Sequence, residues 1–284
     1  MGTVSAVSFL APAKLNLSLE VYGKRPDGYH DIRSVMVPVS LYDEVTVEEA
    51  SRGIALTCDA PGIPVDETNS CHRAAALFMK WAKAPSGVRI RLRKTIPAEG
   101  GLGGGSSDAA AALKGLASLT GKVPPGEGLR GMAAQVGADV PFFLLGRAAL
   151  VEGFGDRLTP LLWETPFHAV IVLPPFGLST REAYARLRRG FGDPPPAAPP
   201  PAIRSIEDAA AIVRNDFEEA WGPVCPEIGR IKKELQAAGA CASGLTGSGS
   251  AVFGLFASVS GARRAENSLR AGGDGRRVFV AGNI

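Results

Sequence analysis

No stretch of this 284-residue chain is apolar for anything near the roughly 20 residues that a membrane-spanning helix needs; the run from Val140 to Leu145 is short and carries Pro141. Cysteine is scarce. Cys58, Cys71, Cys225 and Cys241 form no Cys-x-x-Cys pair, and His30, His72 and His168 lack the close spacing of metal ligands. That pattern argues against a zinc or iron–sulfur site and predicts reduced, mostly buried thiols in a cytoplasmic protein. Met1 to Leu10 shows no basic head followed by an apolar core, so no secretory leader is expected. Neither sign of charge dominates: 31 Lys and Arg face 28 Asp and Glu, a net +3. A balance this even speaks against a nucleic-acid or acidic-membrane partner. With 45% apolar and 21% charged residues, the chain is not disordered or collagen-like either. What it has in excess is glycine, 35 of 284 residues against a usual ~7%.

The length predicts two domains. Period-2 alternation opens the chain. Leu15, Leu17, Leu19 and Val21 share one strand face, and Lys14, Asn16, Ser18 and Glu20 the other. Pro26-Asp27-Gly28 makes a turn, with strands expected at 32–39, 44–48, 54–58 and, by alternation with arginines, around Val88, Ile90 and Leu92. Asn69 caps an expected helix through Trp81, and a second helix is expected from about Ser107 to Leu119. Later come strands at 148–152, 157–161, 168–173 and 277–280, and helices near 179–187, 206–213, 227–238 and 263–270. Strands and helices do not alternate regularly, which favours an α+β class over a doubly wound sheet. Six prolines within 194–201 predict an extended surface loop.

The densest chemical signal is Pro97-Ala98-Glu99-Gly100-Gly101-Leu102-Gly103-Gly104-Gly105-Ser106-Ser107, followed by an Ala-rich helix. Clustered glycines let a backbone approach a bulky anion, and a helix N-terminus attracts phosphate oxygens. Ser106 or Ser107 is the expected cap of that helix. The loop is neither a Walker A motif, lacking Gly-Lys-Ser/Thr, nor a clean G-x-G-x-x-G. Lys14 and Asn16 project together from one strand, where a lysine neutralises a phosphate or a carboxylate, or is simply solvated. Asp139 in Gly137-Ala138-Asp139-Val140-Pro141 reads two ways, as a helix cap or as a general base taking a proton from an attacking hydroxyl. Tyr29 and His30 offer a stacking plane and a hydrogen-bonding edge suited to a nucleobase, or are plain loop residues. The second glycine turn, Gly244 to Phe253, either presents amides to phosphate or is only a tight turn.

Together, Ala11-Pro12-Ala13-Lys14-Leu15-Asn16-Leu17, Arg25-Pro26-Asp27-Gly28-Tyr29-His30, the glycine loop and Gly137-Ala138-Asp139-Val140-Pro141 resemble the GHMP kinase superfamily, over the span from Ala11 to Phe253. The Tyr-His element and the enlarged loop separate the chain from that family's mevalonate, homoserine and galactose kinases. The resemblance implies two α+β domains, an ATP-binding 1–158 and a substrate-side 159–284 holding the 194–201 loop, with the active site in the cleft between them. It implies ATP-dependent phosphorylation, with Mg²⁺, of the 2-hydroxyl of a methylerythritol carried on cytidine diphosphate, in the non-mevalonate route to isopentenyl diphosphate. The implied partners are small molecules only, with no nucleic acid or membrane, in a monomer or weak homodimer. By position, Lys14 and Asp139 match the catalytic pair, and Pro97 through Ser107 the phosphate loop. Asn69 and Lys94 match positions near the nucleotide, and Asn16, Tyr29, His30 and Tyr184 match substrate contacts, the last three around the cytosine. Glu99 departs from the small residue of several relatives; an acid there opposes phosphate unless it faces solvent.

Overall fold

The computed structural model describes residues 6–284 apart from Pro85, Arg188, Phe191, residues 193–200 and Gly273. All of the proline-dense segment 194–201 except Pro201 therefore lies outside the described residues. The chain forms two compact units that are not consecutive stretches. One gathers the residues up to Ala13 with Tyr42–Ile96 and Gly103–Gly146; the other holds Lys14–Leu41, Pro97–Leu102 and Arg147–Ile284. Two long strands, β1 (Ala6–Lys24) and β2 (His30–Ala50), run through both.

In the first unit, β3 (Ile54–Cys58) lies parallel to β4 (Gly87–Arg93), and β4 pairs antiparallel with the end of β2, Glu48 opposite Arg89. Alternation in β4 works as the sequence predicts: Val88, Ile90 and Leu92 are buried while Arg89, Arg91 and Arg93 are exposed. Four helices pack on one another in this unit, α1 (Ser70–Ala82), α2 (Gly104–Thr120), α3 (Gly128–Val136) and α4 (Val140–Leu145). Asn69 caps α1, its Oδ1 accepting from Cys71 N at 2.8 Å. Ala109–Ala112 of α2 are all buried, and small side chains there let neighbouring elements approach closely.

In the second unit, β5 (Ala149–Gly153) pairs with the first half of β2 and with β6 (Arg157–Pro160). Then follow β7 (His168–Leu173), α5 (Thr180–Leu187), α6 (Ile206–Ala211), β8 (Arg214–Asn215), α7 (Phe217–Trp221), α8 (Pro226–Ala237), β9 (Ala242–Leu245), β10 (Val252–Phe256), α9 (Val259–Arg270) and β11 (Arg277–Gly282). A four-stranded antiparallel sheet of order β11-β7-β10-β9 buries Val170, Val172, Val252 and Phe256 against Ile231 and Leu235 of α8 and Ala262 and Leu269 of α9.

Two expectations need correction, one open alternative is decided and two short elements are added. The polar face of β1 is not solvated: Lys14, Asn16 and Ser18 are as buried as the leucines between them, because the polar groups bond to one another. Neither Ser106 nor Ser107 caps α2; Gly103 does, in the left-handed conformation (φ 74°), and the helix starts three residues earlier than expected. The short β8 and α7 were not anticipated. Among the cysteines, all free, only Cys71 is buried and Cys241 is exposed.

Candidate active site

In the second unit the polar face of β1 builds a buried network. Lys14 Nζ donates to Asn16 Oδ1, and Asn16 Nδ2 donates to Ser34 Oγ at 2.7 Å. Asn16 Oδ1 also accepts from Gly247 N at 3.0 Å, and Asn16 N donates to Thr246 Oγ1 at 2.9 Å, a partner 230 residues away. The two glycine-rich segments meet at this point. Lys14 N donates to the Leu102 carbonyl and Ala251 N to that of Gly100. A Cβ on Gly101 would fall 2.3 Å from the Thr246 carbonyl oxygen, and one on Gly247 would lie 3.2 Å from Lys14 Nζ. Glycine is required at both positions by backbone contact as well as by left-handed φ values of 74° and 57°. The second glycine turn is thus a packing partner of the first loop and of Lys14. Beside it, Gly101, Glu99, Ser179, Thr180, Ser248 and Gly249 line an open cavity of about 570 Å³. Glu99 is exposed and left-handed (φ 58°), with its carboxylate against Gly177.

Tyr29 and His30 follow the predicted turn, closed by Gly28 N donating to Arg25 O. They diverge. Tyr29, 63% exposed, meets the Phe154 ring at 5.7 Å, and the Arg25 guanidinium sits 5.3 Å over Phe154 while pairing with Asp27 and Asp31. His30 stacks on Tyr184 (4.8 Å, 21°), which in turn abuts Phe217 edge-on. Burial, helped by the Lys24 charge, lowers the His30 pKa below the usual histidine value, which favours the neutral imidazole.

In the first unit, Gly103 turns the chain into α2, and the amides of Gly104 and Gly105, at the first two helical positions, have no intrahelical acceptor. A Cβ on the exposed Gly105 would meet nothing within 4 Å. The Ser106 hydroxyl comes within 4.0 Å of where a Cβ on Gly137 would sit, two residues before Asp139. Asp139 occupies the cap position of α4, with Pro141 just inside, yet its side chain makes no capping bond. Lys114 of α2 donates to the Phe143 carbonyl of α4 at 2.9 Å.

Lys94 is mostly buried, with its ammonium between Asp43 and Asp108. Burial disfavours that charge, but the two carboxylates outweigh it and raise the lysine pKa. Burial pushes the Asp108 carboxyl up to about 7, Lys94 pulling it down and Asp43 adding to the rise. The Asn69 amide is used by the α1 cap and by the Pro64 carbonyl. Sequence reasoning missed Ser34, Asp43, Lys114 and Phe154, for which no local signal exists, while Thr246, Gly247 and Asp108 lay inside or beside motifs already noted.

Comparisons with known proteins show the family. The GHMP kinases N terminal domain model matches residues 69–147 and the GHMP kinases C terminal model residues 201–275. The 4-diphosphocytidyl-2-C-methyl-D-erythritol kinase of Pelotomaculum thermopropionicum is 42% identical over 91% of this chain and 92% of its own. The chain belongs to the 4-diphosphocytidyl-2-C-methyl-D-erythritol kinase family of GHMP kinases. A protein of that name from Symbiobacterium thermophilum is 43% identical over 86% of this chain and 88% of its own. A solved 4-(cytidine 5'-diphospho)-2C-methyl-D-erythritol kinase superposes with a TM-score of 0.82 at 37% identity, covering 98% of this chain and 99% of that one. The fold class is therefore α+β with N- and C-terminal GHMP kinase regions, and the chain is an ATP-using kinase with an alcohol acceptor. Among the described residues no helix is long and apolar enough to cross a membrane.

Proposed function

We propose that this chain transfers the terminal phosphoryl group of ATP to the 2-hydroxyl of 4-diphosphocytidyl-2-C-methyl-D-erythritol, the compound in its relatives' names, in the non-mevalonate route to isopentenyl diphosphate. The observation that carries the reading is the start of α2: unused amides, an open face at Gly105, and the Ser106 hydroxyl beside the segment that ends in Asp139. Phosphoryl transfer needs alignment and stabilisation of developing negative charge more than covalent help.

In this reading the loop from Pro97 to Ser107 and the α2 dipole hold the ATP phosphates. The acceptor oxygen bonds to the terminal phosphorus as its bond to the bridging oxygen of ADP breaks. Asp139, whose carboxylate is not engaged in capping, takes the hydroxyl proton. Lys14, oriented by Asn16, offsets negative charge on the transferring group. Tyr29 stacks on the cytosine, a contact of ~1–3 kcal/mol by analogy with nucleic-acid sites, and neutral His30, backed by Tyr184, hydrogen-bonds its edge. Binding energy so far from the reacting hydroxyl positions the acceptor. Asn69 and Lys94 belong to the nucleotide side.

Mg²⁺ supplies charge neutralisation on the phosphates when bound with ATP. Ser107 Oγ, buried and lacking a hydrogen-bond partner at the first turn of α2, is an oxygen donor that fits it. The division into a nucleotide-side 1–158 and a substrate-side 159–284 is supported by family models that fall one on each side of residue 158. A cytoplasmic monomer or weak homodimer, without nucleic-acid or membrane partners, is sufficient for this chemistry.

The decisive experiment offers ATP with 4-diphosphocytidyl-2-C-methyl-D-erythritol, homoserine or mevalonate in parallel. Phosphorylation of the cytidine compound alone is expected. Turnover of another acceptor with the cytidine compound untouched would overturn the reading.

A further inference from the structure

We infer that Lys94 and Asp108 form a clasp that closes the glycine loop and sets it for the nucleotide before the nucleotide arrives, Lys94 acting as a positioning residue. The inference rests on the proposal that this loop binds the ATP phosphates.

Lys94 stands at the end of β4 and Asp108 is the fifth residue of α2, so the ion pair between them joins the two ends of the segment from Thr95 to Ser107. The same ammonium bonds Asp43, whose other oxygen accepts from Thr95 N (2.6 Å) and Ile96 N (2.8 Å), fixing the chain where it leaves the strand. All three side chains are buried, and the Asp108 oxygen not facing Lys94 has no hydrogen-bond partner. Lys94 is therefore the group that compensates this carboxylate. The ammonium lies directly under the start of the helix: a Cβ on Gly104 would come within 3.3 Å of Lys94 Nζ.

A loop this rich in glycine loses more conformational freedom on ordering than any other sequence. Without a closure, that loss would fall on nucleotide binding. An ion pair across the loop ends lowers the entropy of the free state and so improves affinity through preorganisation. The chemistry also separates this role from direct contact. An ammonium already held by two carboxylates has little charge left to offer a triphosphate, so Lys94 acts through the backbone it fixes.

The test is calorimetric titration of the full chain with ADP, together with steady-state kinetics. Asp108→Ala removes one end of the clasp yet leaves Lys94 paired with Asp43, so no buried charge is stranded. ADP binding should weaken about tenfold, while the KM for the cytidine acceptor stays within about twofold. Asp108→Asn, which keeps an oxygen facing Lys94, should recover most of the loss. If Asp108→Ala does not fold, Asp108→Leu, which fills the space with an apolar group and keeps Lys94 paired with Asp43, carries the same expectation. Gly105→Val serves as the control for the loop itself. ADP affinity unchanged in the clasp variants but abolished by Gly105→Val would overturn the clasp alone. Unchanged affinity in Gly105→Val would remove the loop reading on which it rests. Equal weakening of ADP and acceptor would show a general structural role and also overturn the clasp.

Discussion

Gly101 and Gly105 stand four residues apart in one loop and are glycine for opposite reasons. At Gly101 the obstacle to a side chain is the protein: a left-handed φ of 74° and a backbone oxygen 2.3 Å from where Cβ would sit. At Gly105 the chain offers no obstacle at all, since its Cβ would point into open space. A glycine that its own fold does not require is the one whose missing side chain leaves room for something else. The loop therefore has an anchored half, locked to the second glycine turn through Gly100, Gly101 and Ala251, and a presenting half at Gly104 and Gly105, whose amides have no intrahelical acceptor.

This contrast can be broken most directly by substitution at the two glycines. Gly101→Ala should cost about 3 kcal/mol or more of stability, from the left-handed backbone and the close contact together, and lose activity with the fold. Gly105→Val should leave the thermal midpoint near that of the parent while ADP binding disappears. Equal stability loss in both would erase the distinction.

A smaller effect is expected where the molecule meets the other substrate. Tyr29→Ala should raise the KM for the cytidine acceptor roughly 5–100-fold, corresponding to the loss of ~1–3 kcal/mol of stacking, with the ATP KM little changed. A rise in the ATP KM alone would put Tyr29 on the wrong substrate. The smallest effect concerns pH. Because the folded His30 has a lowered pKa, its neutral form persists at and above pH 7, and its contribution is lost as pH falls through the folded value, below the ordinary 6.5. Acceptor KM should hold steady above neutrality and rise at acid pH, and His30→Asn should remove that rise. An acid-limb rise that survives in His30→Asn assigns it to another group.

Local patterns carried much of this in the sequence itself. β3 and β7 begin and end where alternation and apolar runs predict, and Asn69 caps α1 as read. Local reading failed where a distant partner decided the outcome. Lys14 and Asn16 lie on what a strand pattern takes as a wet face, but Thr246, Gly247 and Ser34 supply the bonds that allow them to be buried. Asp43 carries no motif, and only the fold brings it to Lys94. The cap of α2 was misassigned because side-chain capping and left-handed glycine are alternative starts to a helix, and this loop contains residues for both. Asp139 stayed open between cap and base for a related reason. Sequence placed it at a helix start, and only the side-chain geometry shows that it makes no cap bond.

The central claim is that Asp139 is the group that accepts the acceptor's proton while the start of α2 holds the nucleotide. Turnover and ADP affinity measured together in Asp139→Asn test it most directly. The account predicts a fall in kcat of at least ~10²-fold with ADP affinity preserved. A near-parental rate would contradict it and return Asp139 to the role of a helix-start residue.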